Sequence, residues 1–392
     1  MPDSDNRTSK EMKAYLIAGF LALIFSILIF DSVYNFMQSH KNPGIFTDRE
    51  YSLQPYSPNV NETNVVHGDL ISPRMVKKYA NYREEHLVTD NLGFFAPPGV
   101  TINNSSVVVV GDSFTQGIAP DMTLSGMITK KSNNQFKTYN MGSPGYYYNS
   151  VLAFIKYFEP LPDPKSVKNR KILILSLTKR NLTGEVVEEI RARSMYSAKK
   201  FRKKKLQRDI FSYFPHNFFK KEKRRSITVK TANNVFLSLN ETLGHVTPPD
   251  NVLFGKDKTI FLKDDVDFWK QPHDKNSCLL FGDVMKFIKD EAAARGFDLW
   301  LVLVPDKSDV YAELLPAAYR PPASDPTAIH FKNIVDCALE KGVSSINLLP
   351  VMRDKAGSSA DLIYYSDDTH WNEKGIEAAA DAIYKKLKER SE

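Results

Sequence analysis

Five short runs of β-branched and other apolar residues, with helical stretches between or after them, limit what this chain can fold into. The runs are residues 106–110, 137–141, 172–177, 299–304 and 345–349. The helical stretches are residues 124–131, 150–158, 278–295, 328–341 and 373–388. Dense apolar runs are typical of parallel strands buried on both faces, and their alternation with helices is typical of layered α/β proteins. The sequence therefore predicts a three-layer α/β/α sandwich with a mainly parallel, doubly wound, five-stranded sheet.

Composition excludes several other classes of protein. Of the 392 residues, 42% are hydrophobic and 25% are charged, which argues against a disordered or fibrous chain. Two cysteines, Cys278 and Cys337, are too few for a disulfide scaffold or a cysteine-rich zinc site. One bridge between them stays open as an alternative. Neither a metal nor a cofactor is expected.

The N-terminus carries an apolar run long enough for a membrane. Residues 14–30 are 17 consecutive uncharged residues, which span roughly 25 Å as a helix, and residues up to 37 extend them across a bilayer. A cleaved signal peptide is the alternative, but the run is long for one and no small-x-small site follows it. The leader, residues 1–13, carries three Lys or Arg, which favours a cytoplasmic N-terminus. We therefore expect a single-pass anchor at 14–37 in a bacterial inner membrane, with the remainder periplasmic or extracellular.

The alternation is interrupted at about 183–275, where most of the positive charge lies. Residues 191–225 hold 14 Lys or Arg and 2 acids, a local charge of +12; since the whole chain carries +7, the rest carries −5. This describes a mildly acidic body with one basic insert, not a nucleic-acid binder. The insert is interpreted either as a solvated loop or as a contact with lipid headgroups or an acidic glycan. Residues 38–104 are expected to be an ordered lead-in, and residues 105–392 the α/β domain.

Chemistry is expected in the turns at the carboxyl ends of the strands, where ligands bind in such sheets. Ser113 follows the first strand within the run Gly111-Asp112-Ser113. It can present its hydroxyl at the head of a helix, whose backbone N–H groups would stabilise an oxyanion. A capping turn explains the same residues. A phosphate-binding P-loop is excluded because its Gly-Lys-Ser/Thr end is absent.

The turn after the second strand contains Gly142 and Gly145, three residues apart. Glycines let the backbone approach a ligand closely, so a free N–H there could complete an oxyanion hole. Ordinary turn chemistry explains them equally well.

The turn before the last helix places Asp367 and Asp368 just ahead of His370. A carboxylate there can hold the imidazole in one tautomer and leave its other nitrogen to act as a base. A lone histidine is more often structural. A doubly wound sheet can nevertheless bring this turn and Ser113 to one edge, which favours a catalytic interpretation.

At these residues the chain resembles the bacterial SGNH (GDSL-type) hydrolase superfamily. The first block of that family is similar to the run ending at Ser113, the second to the N-x-G-x-x-G run 140–145, and the fifth to the Asp-Asp-Thr-His run 367–370. The third block, usually G-x-N-D, departs, because this chain has Thr-Lys-Arg-Asn at 178–181. The T-D-x-x-G-F lead-in at 89–94, the V-P-D-K run and the D-T-H-W run resemble a membrane-associated branch that includes alginate O-acetyltransferases.

The resemblance implies a role for each residue. Ser113 would be the nucleophile and His370 the general base, oriented by Asp368 or, at the commoner family spacing, Asp367. The oxyanion would be bound by the backbone N–H groups of Ser113 and Gly145, joined by the Asn181 side chain. Lys307 is a candidate contact for an anionic sugar, and a solvated helix start is its alternative.

The resemblance also implies a function. The chain would be a membrane-anchored serine O-acyltransferase that O-acetylates a cell-envelope or extracellular polysaccharide, with a membrane acyltransferase partner delivering the acyl group. A carbohydrate or lipid esterase is the first alternative. A non-catalytic envelope-binding protein on the same scaffold is the second. The expected partners are therefore a glycan acceptor and the membrane, without nucleic acid.

Overall fold

The computed structural model of the protein describes residues 55–71, 75–117, 119–143, 147–182, 251–270 and 275–392. All of them belong to one compact unit. The expected leader and anchor, the basic stretch 191–225 and Gly145 lie outside the described residues. Within the described ranges, no helix is long and apolar enough to cross a bilayer.

Nine strands form three sheets among the described residues. In chain order the strands are β1 Asn61–Val66, β2 Arg83–Val88, β3 Val107–Gly111, β4 Thr138–Asn140, β5 Lys171–Thr178, β6 Val252–Phe254, β7 Ile260–Leu262, β8 Phe297–Val304 and β9 Ser344–Asn347. β1 and β2 pair antiparallel, as do β6 and β7, and the other five strands form one sheet. The helices are α1 Val76–Tyr79, α2 Ser113–Gln116, α3 Leu124–Lys131, α4 Tyr147–Tyr157, α5 Lys263–Asp267, α6 Lys275–Ala294, α7 Lys307–Val310, α8 Pro326–Glu340, α9 Leu349–Ser358 and α10 Glu373–Ser391.

The five-stranded sheet is parallel throughout and has the order β4-β3-β5-β8-β9. Numbered along the chain, this is the order 2-1-3-4-5 of doubly wound sheets. The order reverses between β3 and β5, so a crevice forms beyond their carboxyl ends. Gly111 pairs with Ser176 at that end, which puts the turns that follow β3 and β5 side by side.

Successive residues of the central strands face two separate cores. In β3, Val108 and Val110 belong to one core, while Val107 and Val109 belong to the other. Helices α4, α6 and α8 cover the first face, and α3, α9 and α10 cover the second. Neighbouring side chains of a strand are thus buried under opposite helical layers. Successive positions of the central strands are therefore apolar, and these strands form continuous apolar runs in the sequence. The predicted three-layer sandwich is confirmed.

Two strand pairs and one helix are among the elements that the sequence did not predict. The lead-in contains the β1–β2 hairpin, whose strands are mostly polar and exposed and so lack an apolar run. Residues 252–262, which fall within the expected insert at 183–275, form β6 and β7; Phe261 is buried in the second core. This hairpin is therefore part of the α/β domain. Helix α9 is short and largely polar, and it follows β9 directly.

Candidate active site

Ser113 is the first residue of α2, directly beyond β3. Asp112 caps this helix, because its Oδ1 accepts the backbone N–H of Phe114 at 3.0 Å. Serine therefore stands where the backbone turns from strand to helix, at the crevice between β3 and β5. Ser113 itself is partly exposed, whereas the next three residues of α2 are buried.

His370 lies against Ser113. Its Nε2 is 2.8 Å from Ser113 Oγ, although the residues are 257 positions apart in the chain. The imidazole packs on the Phe114 ring at 4.7 Å between centroids. Trp371 donates its indole N–H to the Phe114 carbonyl at 3.1 Å. Two contacts with Phe114 thereby fasten the turn before α10 to α2, beside the Ser113–His370 contact.

The other imidazole nitrogen selects between the two candidate carboxylates. His370 Nδ1 is 2.6 Å from Asp368 Oδ1, and the His370 backbone N–H also donates to that oxygen at 3.0 Å. Asp367 instead accepts backbone N–H groups from Gly68 at 2.9 Å and from Asn81 at 2.7 Å. The structure therefore brings together Ser113, His370 and Asp368, and gives Asp367 a different set of partners.

The lead-in supplies charged groups that the sequence analysis missed. Arg83 forms ion pairs with Asp368 and, at 3.4 Å, with Asp367. The Asp69 carboxylate accepts the Thr369 backbone N–H at 2.8 Å and the Thr369 hydroxyl at 2.7 Å. Sequence gave no signal for these contacts, since the residues lie about 300 positions from the turn that they touch.

Charges around His370 set its protonation. Burial by itself favours the neutral ring, but the charge and hydrogen bond of Asp368 and the charge of Asp69 together raise the pKa of His370 above its ordinary value. For Asp368, burial is opposed by His370 and Arg83, which hold the pKa of that carboxyl well below its usual range. Asp368 is therefore an ionised carboxylate, and a proton taken up by the Asp368–His370 pair goes to the imidazole.

Asn181 does not face an open site. Its amide donates to Asp112 Oδ2 and, at 2.9 Å, to Thr178 Oγ1. Thr178 also donates to Asp112 Oδ2, at 2.9 Å. Both amide hydrogens thus have acceptors within the protein, which argues against the predicted oxyanion role. Asn181 instead fixes the carboxylate that caps the Ser113 helix.

Arg180 places a cation beside this cluster. Its guanidinium lies over the Phe114 ring at 5.6 Å and is held by Asp306 at 3.3 Å and Asp265 at 3.5 Å. Arg180 belongs to the third sequence block, where this chain differs from the usual family pattern. It brings a positive charge to the same aromatic ring that supports His370.

The second predicted turn packs against α2. Asn140 donates its side-chain amide to the Gln116 carbonyl at 3.0 Å and accepts the Gly142 N–H at 2.8 Å. A Cβ at Gly142 would overlap the Gln116 backbone nitrogen, so only glycine fits this close approach. Gly145, the predicted oxyanion glycine, is outside the described residues.

Lys307 is not a surface contact. Its side chain is buried, with 2% of the residue exposed. The ammonium donates to the carbonyls of Tyr365 at 2.9 Å, Ser366 at 3.3 Å and Asp368 at 2.6 Å. Lys307 therefore holds the Asp368–His370 turn from within, and these contacts favour a supporting role over the predicted contact with substrate.

One group of side chains in the described part of the chain has metal-ligating atoms close together. It consists of Asp69, Asp368 and His370, whose ligand atoms lie within 4.8 Å of one another. The same atoms already take part in the hydrogen bonds described above. A cation there would compete with the contact between His370 Nδ1 and Asp368.

Two further features are a disulfide-bonded cysteine and a buried lysine that directly follows β5. Cys337, on α8, is disulfide-bonded. Lys179 is fully buried and pairs with Asp309 at 2.5 Å. These contacts tie helices and strand ends together and do not bring further groups to Ser113.

Comparison with known proteins bears on the second half of the chain. Residues 252–392 match the family model described as the SGNH hydrolase-like domain of the acetyltransferase AlgX. This match confirms the resemblance predicted from the motifs, and it covers Lys307, Asp368 and His370 but not the Ser113 turn. The matched domain supports acetyltransferase-like or esterase-like chemistry. No curated protein matches the chain.

Several solved structures are similar at low identity. The YxiM protein of Bacillus subtilis has 13% identity and a TM-score of 0.35, over 80% of this chain and 63% of that one. Two other crystal structures have 10% and 11% identity and TM-scores of 0.33 and 0.32, each over 72% of this chain. They are covered over 95% and 97% of their own lengths, respectively. The chain thus spans less than two thirds of the Bacillus protein.

Proposed function

We propose that this protein is a serine-dependent acyltransferase or esterase that works through an acyl-Ser113 intermediate. The observation that carries the proposal is the line of contacts from Ser113 Oγ to His370 Nε2 at 2.8 Å and from His370 Nδ1 to Asp368 Oδ1 at 2.6 Å. A hydroxyl, an imidazole and a carboxylate in this order form the apparatus of nucleophilic acyl transfer. Such an arrangement also argues against a purely binding role.

In the first half-reaction, Ser113 Oγ attacks the carbonyl carbon of an ester while His370 Nε2 takes the hydroxyl proton. The resulting imidazolium lies between Asp368 and the reacting oxygen, where the carboxylate stabilises it. As the ester C–O bond breaks, His370 returns this proton to the leaving oxygen. The acyl group then remains on Ser113 as an ester.

In the second half-reaction, an acceptor hydroxyl replaces the leaving group. His370 takes the acceptor proton, the acceptor oxygen attacks the acyl carbon, and Ser113 Oγ leaves and recovers the proton. Water as acceptor gives hydrolysis, whereas a sugar hydroxyl gives O-acylation. The outcome depends on which acceptor is held and how well water is excluded.

The Ser113 backbone N–H, at the first position of α2, is the donor that we assign to the oxyanion. A preorganised donor of this kind contributes about 3 kcal/mol to lowering the barrier. Asn181 is committed to Asp112, so a second donor has to come from another group. Gly145 keeps that role as a prediction.

We further propose a glycan of the cell envelope as acceptor. The segment 14–37 would anchor the chain in an inner membrane with this domain on the outer side, where such polymers are assembled. Acyl-coenzyme A is cytoplasmic, so a membrane acyltransferase partner would deliver the acyl group. Hydrolysis of a carbohydrate or lipid ester is the alternative outcome of the same chemistry.

The full-length protein, purified with detergent present, tests this proposal with p-nitrophenyl acetate. We expect release of nitrophenol and, after rapid acid quenching, a covalent acetyl group on the peptide that contains Ser113. Ser113→Ala should lose both signals, whereas Ser358→Ala, on the exposed end of α9, should keep them. Equal turnover by wild type and Ser113→Ala would overturn the nucleophile assignment.

Adding glycan acceptors then separates the two reactions. A transferase should acetylate an acceptor oligosaccharide and show less hydrolysis as acceptor concentration rises. An esterase should show hydrolysis that does not depend on the acceptor, and it should remove acetyl groups from an O-acetylated glycan. Either result requires Ser113, so the variant serves as the control in both assays.

A further inference from the structure

A second carboxylate, that of Asp69, reaches the catalytic turn from the lead-in. Its two oxygens accept the backbone N–H and the hydroxyl of Thr369, the residue between Asp368 and His370. Its Oδ2 is also 3.7 Å from His370 Nδ1. The Asp69 backbone N–H in turn donates to Asp368 Oδ2 at 3.3 Å. Asp69 is therefore connected to every residue of the Asp368–His370 turn.

The charged groups that face His370 come from four parts of the chain. Asp368 lies on its own turn, Asp69 on the lead-in, and Arg180 and Asp112 follow β5 and β3. Arg83, on β2, faces the ring only through Asp368. The negative charges nearest to the imidazole are thus those of Asp368 and Asp69, and the Arg180 cation opposes them.

We propose that Asp69 is a positioning residue of the Ser113 reaction, which holds the Asp368–His370 turn through Thr369 and places a second negative charge beside the imidazolium. This inference rests on the proposed function of Ser113 and His370. The two hydrogen bonds to Thr369, one from its backbone N–H and one from its hydroxyl, hold both the main chain and the side chain of this residue in place. The 3.7 Å separation lets the carboxylate act on the ring by charge without replacing Asp368 as its hydrogen-bond acceptor.

The charge of Asp69 acts in partial contact with water. Its side chain is 44% exposed, compared with 5% for Asp368. Solvent therefore screens Asp69 more than Asp368, and its effect on the imidazolium should be the smaller of the two. This difference distinguishes a positioning residue from the hydrogen-bonded partner of the histidine.

The test compares Asp69→Asn and Asp69→Ser in the full-length protein with Glu84→Gln as a matched control. Both Asp69 variants lose the charge. Asp69→Asn keeps an oxygen in place to accept the Thr369 N–H, whereas Asp69→Ser has a shorter side chain. Glu84 lies one residue beyond Arg83 on β2, is exposed, and has His86 as its ion-pair partner at 3.7 Å. Its variant removes the same charge from the same hairpin without touching the catalytic turn.

Two readouts are needed. The first is the NMR titration of the His370 ring, assigned with His370→Gln, and the second is the pH dependence of kcat/KM for p-nitrophenyl acetate. We expect both Asp69 variants to lower the His370 titration midpoint by about half to one pH unit. We expect the acid limb of kcat/KM to move with it, and the plateau value to fall roughly three- to tenfold. Glu84→Gln should match wild type in both.

An unchanged His370 midpoint in folded Asp69 variants would overturn the inference, even if activity fell, because a merely structural role does not move the titration. Thermal unfolding of each variant shows which of them are folded, and the two replacements differ enough in size that one serves if the other unfolds. If wild type itself had no Ser113-dependent turnover, the proposed function would fail. The NMR titration would still decide whether Asp69 acts on His370.

Discussion

The Gly68 backbone N–H donates to Asp367 Oδ2 at 2.9 Å, although these residues are 299 positions apart in the chain. Asp367 adjoins Asp368, whose carboxylate contacts His370 Nδ1, so this bond joins the lead-in to the Asp368–His370 turn. A Cβ at Gly68 would overlap the carbonyl group of Asp367. Glycine is therefore the residue that lets the two backbones come close enough for the Asp69 and Arg83 contacts to form.

Replacing Gly68 by alanine should damage both stability and activity. The methyl group must push the lead-in away from Asp367, and we expect a loss of about 1–3 kcal/mol in the free energy of unfolding. The kcat for p-nitrophenyl acetate should fall as well, because the displaced lead-in no longer holds the turn. Thermal unfolding and steady-state kinetics measure the two effects.

Gly357→Ala is the matched control for that substitution. Gly357 lies in α9, and a Cβ there would meet nothing within 4 Å. Alanine is the better helix former by up to about 1 kcal/mol, so this variant should be as stable as wild type or more so. If Gly68→Ala behaves like Gly357→Ala, the close approach of the lead-in has no energetic role.

How far the site follows from sequence depends on which contacts are local. Ser113 could be predicted because its short motif directly follows an apolar run. His370 could be predicted because its motif precedes the last helix, in a turn that a doubly wound sheet can bring to the same edge. The choice between Asp367 and Asp368 could not be made, since both spacings let a carboxylate reach the imidazole. It is decided by the backbone N–H groups of Gly68 and Asn81, which occupy Asp367 from outside the motif. Arg83 pairs with both carboxylates and does not distinguish them.

The contacts of the lead-in and of Lys307 could not be predicted from sequence for a related physical reason. The β1–β2 hairpin buries few apolar side chains, so no periodic pattern announces it. A lysine at a helix start is usually solvated, and sequence does not tell that three carbonyls of a distant turn surround Lys307. Polar contacts between distant segments leave no periodic signal in either partner.

Replacing Asp368 should mainly lower activity, whereas replacing its neighbour Asp367 should mainly lower stability. Asp368→Asn favours the wrong tautomer of His370, and a loss of about 10⁴-fold in kcat is typical of such a change. Asp367→Asn keeps the triad but weakens a fully buried acceptor of two backbone N–H groups and an ion pair with Arg83. We expect it to lower the free energy of unfolding by about 1–3 kcal/mol and to reduce kcat far less.

Rates of p-nitrophenyl acetate hydrolysis and chemical denaturation of both variants separate these outcomes. Equal, mild losses of activity in the two variants would contradict the assignment of Asp368. A severe loss in Asp367→Asn alone, with the fold intact, would reverse it.

The pH dependence of activity should reflect the raised pKa of His370. The ring must be neutral to take the Ser113 proton, so kcat/KM should rise with pH through the pKa of the free enzyme. Because Asp368 and Asp69 raise that pKa, the midpoint of the acid limb should lie above about 6.5, the ordinary value for histidine. A midpoint at or below 6.5 in the wild-type profile would contradict the role of these carboxylates.

Stability should change in the opposite direction over the same pH window. A raised histidine pKa contributes stability that is fully present below the unfolded value and is lost as pH rises through the folded one. Asp368, whose pKa is lowered, contributes stability above its unfolded value of about 3.9 that is lost as pH falls further. The difference in thermal unfolding temperature between wild type and His370→Gln should therefore be largest at about pH 5–6 and shrink toward alkaline pH.

Replacing Lys307 distinguishes a supporting group from a substrate contact. Burial lowers the pKa of Lys307 to about 8, so at neutral pH its ammonium is mainly charged and can donate to all three carbonyls of the Asp368–His370 turn. Lys307→Met keeps an unbranched side chain one atom shorter than lysine and leaves those carbonyls without a donor. We expect a loss of about 1–3 kcal/mol in the free energy of unfolding and a fall of roughly 10- to 100-fold in kcat, with KM little changed.

A substrate contact would give the converse pattern, in which KM rises while kcat and the unfolding free energy stay near wild type. Lys374→Met provides the control, because Lys374 is half-exposed on α10 and pairs only with the exposed Asp361 among the contacts described. Exposed pairs of this kind contribute about 0–1 kcal/mol, so the control should leave kcat, KM and stability nearly unchanged. If Lys307→Met had wild-type stability and a raised KM, Lys307 would be a substrate contact and not a supporting group. Removing a buried ammonium that supports the turn should always lower stability.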